Sequence, residues 1–174
     1  CWYNLIYFGH NPKKIHVLNG GLKKWNDEKK QTTNILTKTK ISKYSAIEKK
    51  ELVKNKNEIN KNISSNIFKV IDARSKERFE GKVKEPRKGL RSGSIPKSLC
   101  IPYRELINDD NTFKNEKEIL NIFKNTLGKE MTTNIVFSCG SGVTASVLAL
   151  AYSLINNKYM PTIYDGSWAE YGKI

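Results

Sequence analysis

One unit of this chain constrains its fold more than any other. Ile135-Val136-Phe137 runs into Ser138, then a loop with two glycines, then an Ala- and Leu-rich stretch from Val143 to Ile155. A strand with one wet face alternates apolar and polar residues, so an unbroken β-branched and aromatic run reads as a strand covered on both faces. A buried strand followed by an apolar helix is the repeating unit of a parallel sheet, whose neighbouring strands need long crossover connections.

Other segments repeat the pattern. Ile67-Phe68-Lys69-Val70-Ile71 predicts a strand ending in Asp72-Ala73-Arg74, and Ser75 is placed to cap a short helix over Lys76 to Phe79. Residues 81 to 98 hold Gly81, Pro86, Gly89, Gly93 and Pro96, a long loop of the kind that carries function. Leu99-Cys100-Ile101 is a brief strand stopped by Pro102. Ile119, Leu120, Phe123 and Leu127 share a helical face. Thr162-Ile163-Tyr164 is a last strand, followed by Asp165-Gly166-Ser167-Trp168. The expected fold is α/β: a doubly wound parallel sheet with helices on both faces. Sites in such sheets lie beyond the carboxyl ends of the strands, the edge to which the strand ending at Ser138 delivers Cys139.

Upstream, Ile15 to Leu18 is strand-like, Asn19-Gly20-Gly21 turns the chain, and Leu22 to Trp25 begins a helix. Residues 1–26 thus read as the end of a separate, truncated α/β domain. The chain starts in the middle of a folded pattern, so the expectation is that any targeting segment lies upstream. From 27 to 66 the composition shifts to Lys, Asn, Thr, Glu and Ser, with no Gly or Pro. That stretch reads as an interdomain linker, mobile around Asn55 to Asn62, with some packed or strand character at Ile35, Leu36, Ile41 and Tyr44. Residues 67–174 would form the main domain.

With 174 residues the chain has room for one full domain and a remnant. Its net charge of +14 raises a nucleic-acid partner. The lysines, however, are spread along the chain among asparagines, with no aromatic-and-Arg surface motif. The expectation is attraction for anionic substrates or acidic proteins, and no nucleic acid. No apolar run approaches the ~20 residues that cross a bilayer, so no membrane partner is expected. Three cysteines (Cys1, Cys100, Cys139) and two histidines (His10, His16) show no zinc-type spacing. No metal or cofactor is expected, and the odd cysteine count fits a reducing compartment.

The informative loop is Cys139-Gly140-Ser141-Gly142-Val143-Thr144. Two glycines open backbone angles closed to other residues, so successive N–H groups can turn inward as an anion cradle. The positive end of the following helix adds to it, lowering the thiol pKa and holding a thiolate or persulfide. The bland alternative is a strand–helix turn with a buried core cysteine. Cysteine phosphatases share this layout but need an arginine six positions after the nucleophile, where this chain has Ala145. The missing bidentate phosphate ligand excludes that activity.

The loop Cys139-Gly140-Ser141-Gly142-Val143-Thr144-Ala145 resembles that of the tandem-domain rhodanese-type sulfurtransferases, most closely the 3-mercaptopyruvate sulfurtransferases. Asp72-Ala73-Arg74, Arg78-Phe79, Gly81, Glu85-Pro86-Arg87, Ile95-Pro96 and Tyr164-Asp165-Gly166-Ser167-Trp168 follow the order of that family's catalytic domain. Phe8-Gly9-His10 and Leu18-Asn19-Gly20-Gly21-Leu22 with Trp25 resemble the end of its first domain.

The resemblance implies an enzyme without cofactor. Cys139 would be the nucleophile that becomes a persulfide, taking sulfur from 3-mercaptopyruvate or thiosulfate and passing it to cyanide or a thiol such as thioredoxin. Arg78 and Arg87 would hold the donor's carboxylate and keto oxygen, and Ser141 would relay a proton or steady the leaving enolate. The backbone of Gly140, Gly142, Val143 and Thr144 would cradle the sulfur. Asp72 would fix the strand end, and Trp168 would pack near the loop. The compartment would be intracellular, cytoplasm or mitochondrion. Two departures stand out. Ser94 sits where the family often has histidine, and most of the first domain, which supplies acidic and histidine groups to the cleft, lies outside the sequence. The alternative is a rhodanese-like protein-binding module without turnover.

Overall fold

The computed structural model describes residues 1–128 and 131–174. Five short strands form one parallel sheet: β1 (Val53–Lys54), β2 (Lys69–Asp72), β3 (Leu99–Cys100), β4 (Ile135–Ser138) and β5 (Ile163–Tyr164), in the order β1-β5-β4-β2-β3. The central strand β4 is buried at all four positions, as its composition predicts. It lies in register with β2, with Asp72 opposite Ser138.

The two faces have separate cores. Ile135 and Phe137 point one way, joining Ile71, Phe123, Leu148 and Tyr152 under the helices α5 (Glu116–Leu127) and α6 (Ala145–Ile155). Val136 points the other way, packing with Val70, Ile59, Tyr164 and Trp168 under α3 (Lys56–Ser65) and α7 (Ser167–Tyr171). The doubly wound arrangement therefore follows from one strand's alternation. Phe123, Phe137, Tyr152 and Tyr159 meet edge to face, with centroids 4.8 to 6.1 Å apart. Burying each such ring contributes about 1.5–3 kcal/mol.

Ser75 caps α4 (Lys76–Phe79) as expected, accepting from the Arg78 N–H. The linker reading needs correction at its end. Asn55 and Glu58 form a reciprocal capping box that starts α3, Ile59 is buried, and β1 pairs with β5. A single apolar residue per turn in a Lys/Asn-rich helix hid this element from a composition argument. Ile35, Leu36 and Ile41 are instead exposed and outside any strand. The upstream segment forms α1 (Trp2–Tyr7) and α2 (Gly21–Asp27), and Ile15 to Leu18 is not a strand. Tyr3 and Ile6 enter the same core as α5 and α6.

The C-terminal residues close over the long loop. Leu90 bridges Lys173, Arg91 N–H donates to Gly172 C=O at 2.9 Å, and Ile174 N–H to Gly89 C=O at 3.2 Å. Among the described residues no helix is long and apolar enough to cross a membrane.

Candidate active site

Strand β4 ends at Ser138 and hands Cys139 to the carboxyl edge of the sheet, at the base of a cleft of about 260 Å³. Arg78, from α4, and Arg87, from the long loop, line it together with Gly140, Ser141, Val143 and Thr144. Residues from three separate segments therefore meet around one sulfur. A larger hollow of about 1530 Å³ lies between residues 1–22 and α5–α6, and none of the sequence-derived site residues lines it.

Cys139 is 2% exposed. The Ser141 N–H donates to its Sγ at 3.4 Å, one rung of the expected cradle. Two other loop N–H groups go elsewhere. Those of Cys139 and Gly142 donate to the Ser167 hydroxyl at 3.1 and 3.0 Å, and that hydroxyl donates to the Tyr164 carbonyl at 2.8 Å. The two glycines also divide their work differently from the expectation. Gly142 does sit in the left-handed region, at φ 81°, where any Cβ would lie 2.9 Å from Asp165 Oδ1. Gly140 instead has a φ open to any residue. A Cβ there would stand 3.2 Å from Arg78 Nη2, so the guanidinium would have to give by a few tenths of an ångström. Helix α6 starts at Ala145, two residues after the predicted start, so Val143 stays at the cleft mouth, largely exposed.

The arginines differ. Arg78 gives Nε and Nη2 to Glu85 at 3.2 and 2.6 Å, leaving Nη1 without a partner among the described residues. Arg78, expected with Arg87 to hold the donor's carboxylate and keto oxygen, thus commits most of its fork to the protein's own Glu85. Arg87 is exposed and makes no ion pair among the described residues. Behind them lies a buried network that sequence reasoning missed. Asp72 accepts from the Arg74 backbone and guanidinium, and Arg74 also reaches Glu85 at 2.8 Å and the Gly93 carbonyl. Burial alone would raise the Glu85 carboxyl pKa. The hydrogen bond from Arg78 and the two guanidinium charges outweigh it and hold the group below its ordinary value. Arg74 also stacks on Trp168, 4.6 Å from the ring centroid, with Arg91 on the indole at 4.8 Å.

Asp72 and Trp168 take the structural roles expected of them. Glu85, Arg74 and Ser167 stand in segments that carry the family resemblance, yet nothing local assigned them a role: the first two look like solvated charges, and the third like any loop serine. The remaining thiols differ from Cys139 in setting. All three cysteines are free, and burial pushes Cys100 up to about 12.

A parallel α/β sheet with a cysteine loop at its carboxyl edge defines a class, and comparison with known proteins gives it a family. Residues 50–173 match the rhodanese-like domain, and the chain belongs to that family. It is 32% identical to the 3-mercaptopyruvate sulfurtransferase of Mus musculus, over 98% of this chain and 56% of that protein. It is 35% identical to the mitochondrial thiosulfate/3-mercaptopyruvate sulfurtransferase 1 of Arabidopsis thaliana, over 98% of this chain and 49% of that protein. Among solved structures it superposes on the 3-mercaptopyruvate sulfotransferase SseA from Escherichia coli with a TM-score of 0.76 and 31% identity, over 96% of this chain and 60% of that one. The chain therefore spans about half the length of these relatives.

Proposed function

We propose that this chain carries the sulfur-accepting half of a sulfurtransferase, with 3-mercaptopyruvate as the preferred donor. The observation that carries the reading is the placement of Cys139 Sγ, facing the Ser141 N–H, in one cleft with Arg78 and Arg87. The Cys139 thiolate attacks the donor sulfur, the donor's C–S bond breaks, and its electron pair leaves on the enolate of pyruvate, which takes up a proton. A persulfide remains on Cys139. An acceptor thiolate, such as that of thioredoxin, or cyanide then attacks the outer sulfur. The S–S bond breaks and the Cys139 thiolate is restored.

Arg87, exposed and uncommitted, meets the donor carboxylate. Arg78 offers Nη1 to the keto oxygen while Glu85 holds the rest of its fork. The Ser141 hydroxyl, with no protein partner among the described residues, serves the proton that the enolate takes up. Gly140, Gly142, Val143 and Thr144 shape the loop around the sulfur. Three free thiols fit a reducing intracellular compartment, cytoplasmic or mitochondrial. Residues 1–26 are read as the end of a preceding rhodanese-like domain.

The test is mass spectrometry of the chain after exposure to 3-mercaptopyruvate. Gain of one sulfur atom on the Cys139 peptide, lost again on adding a thiol acceptor, supports the reading. An unmodified Cys139 under conditions that label the protein's other thiols overturns it.

A further inference from the structure

Among the described residues the hydroxyl of Ser167 is the one side-chain group that holds the cysteine loop at two points. It is fully buried, and its bonding capacity is used up: both acceptor positions take loop N–H groups, from Cys139 and Gly142, and its single proton goes to Tyr164 C=O. Its rotor therefore has one satisfied setting. Two backbone bonds run parallel to it, from Trp168 N–H to Cys139 C=O and from Ala169 N–H to Gly140 C=O, both 2.9 Å. Between the pinned ends the chain arches over Gly140 and Ser141, and that arch aims the Ser141 N–H at Sγ.

Ser167 itself sits at φ 49°, in the left-handed region that favours glycine. A serine there bears backbone strain that a glycine would relieve. The position carries the less comfortable residue, and what that residue adds is the hydroxyl.

We propose that Ser167 is a positioning residue for the sulfur chemistry, setting the angle of the Cys139–Gly142 arch so that the Ser141 N–H faces the thiolate and later the persulfide. It touches neither donor nor acceptor and acts through the loop backbone. The inference rests on the reading of Cys139 as the sulfur carrier, but its geometry can be probed without any sulfur donor.

The experiment uses the 174-residue chain and two variants, Ser167→Gly and Ser167→Ala. Glycine keeps the left-handed turn and removes the strain, while alanine fills the space without a hydroxyl. Iodoacetamide labelling of Cys139 at one pH near neutrality, followed by peptide mass spectrometry with the exposed Cys1 as internal control, reads its reactivity directly. Both variants should keep a cooperative thermal transition. The Cys139 labelling rate should fall about tenfold as the thiolate loses the Ser141 N–H that faces it, with the Cys1 rate unchanged. Sulfur uptake should slow in parallel, in kcat rather than KM.

An unchanged Cys139 rate in either folded variant overturns the proposal. So does loss of the thermal transition in both, which would make Ser167 a general folding residue. Failure of the underlying functional reading looks different: the parent takes up no sulfur, while its Cys139 labelling rate still separates from those of the variants.

Discussion

Arg78 and Glu85 form a two-point ion pair in which the carboxylate side chain is 1% exposed and the guanidinium 28%. The same carboxylate binds the buried Arg74, so one group serves a cleft arginine and a core arginine together. Glu85→Ala should destabilise the fold by about 3 kcal/mol, the lower end for breaking a buried pair, because Asp72 still compensates Arg74. Urea unfolding measures this. Glu85→Gln should cost less yet still weaken donor binding, since Arg78 loses its fixed orientation.

The same carboxylate makes stability pH-dependent. Its pKa in the fold lies below its ordinary value of 4.5. A depressed carboxylate contributes stability above the unfolded value and loses it as pH falls through the folded one. The urea midpoint should therefore drop from about pH 4.5 downward more steeply in the parent than in Glu85→Gln. Parallel acid limbs would contradict this.

Gly142→Val places a β-branched residue at φ 81° with its Cβ against Asp165. The backbone term alone is about 1–2 kcal/mol, on the order of 2–8 °C in Tm for a chain of this size. Sulfur uptake should fall much further than that loss of stability explains. Differential scanning fluorimetry beside a single-turnover assay separates the two.

Arg87 is exposed and unpaired among the described residues, so Arg87→Ala should leave Tm unchanged. Losing one charge-assisted contact, about 1.5–3 kcal/mol, should cost mercaptopyruvate about 10–150-fold in kcat/KM. Thiosulfate should suffer less, because Gly140 and Ser141 place no cation in the loop beside the sulfur. Equal losses on the two donors would count against mercaptopyruvate as the preferred one.

Cys139→Ser should abolish sulfur uptake with the fold intact, because an alcohol cannot carry a persulfide. Cys100→Ala should leave it untouched. Cys100, half-buried and pushed up to about 12, stays protonated near neutrality. Peptide mass spectrometry of both variants after donor exposure checks the pair.

The sheet and the placement of Cys139 were legible because each had a local cause. The run Ile135-Val136-Phe137 requires cover on both faces, and a glycine-flanked cysteine after such a strand has one place to go. Helix α3 escaped because its burial rests on Ile59 within a polar stretch, where composition outweighs periodicity. The Asp72–Arg74–Glu85–Arg78 network escaped for a different reason. Charge pairing across the long loop depends on tertiary approach, and nothing in Glu85's neighbours separates a buried carboxylate from a solvated one. Ser167 is the extreme case, since its partners lie 25 and 28 residues away along the chain.

The clasp formed by the C-terminal residues has a consequence for the order of assembly. Arg91 finds Tyr171, 80 residues further along, and the cysteine loop is fastened by Ser167 to Ala169. The long loop and the cysteine loop thus both depend on one late segment, although the residues that line the cleft belong to earlier ones. During synthesis the strands β2, β3 and β4 can pair while the cleft does not yet exist, and β1 waits for β5. Contacts of such long separation close last, after their loop entropy has been overcome, so a nascent chain carries Cys139 for some time before the pocket around it exists.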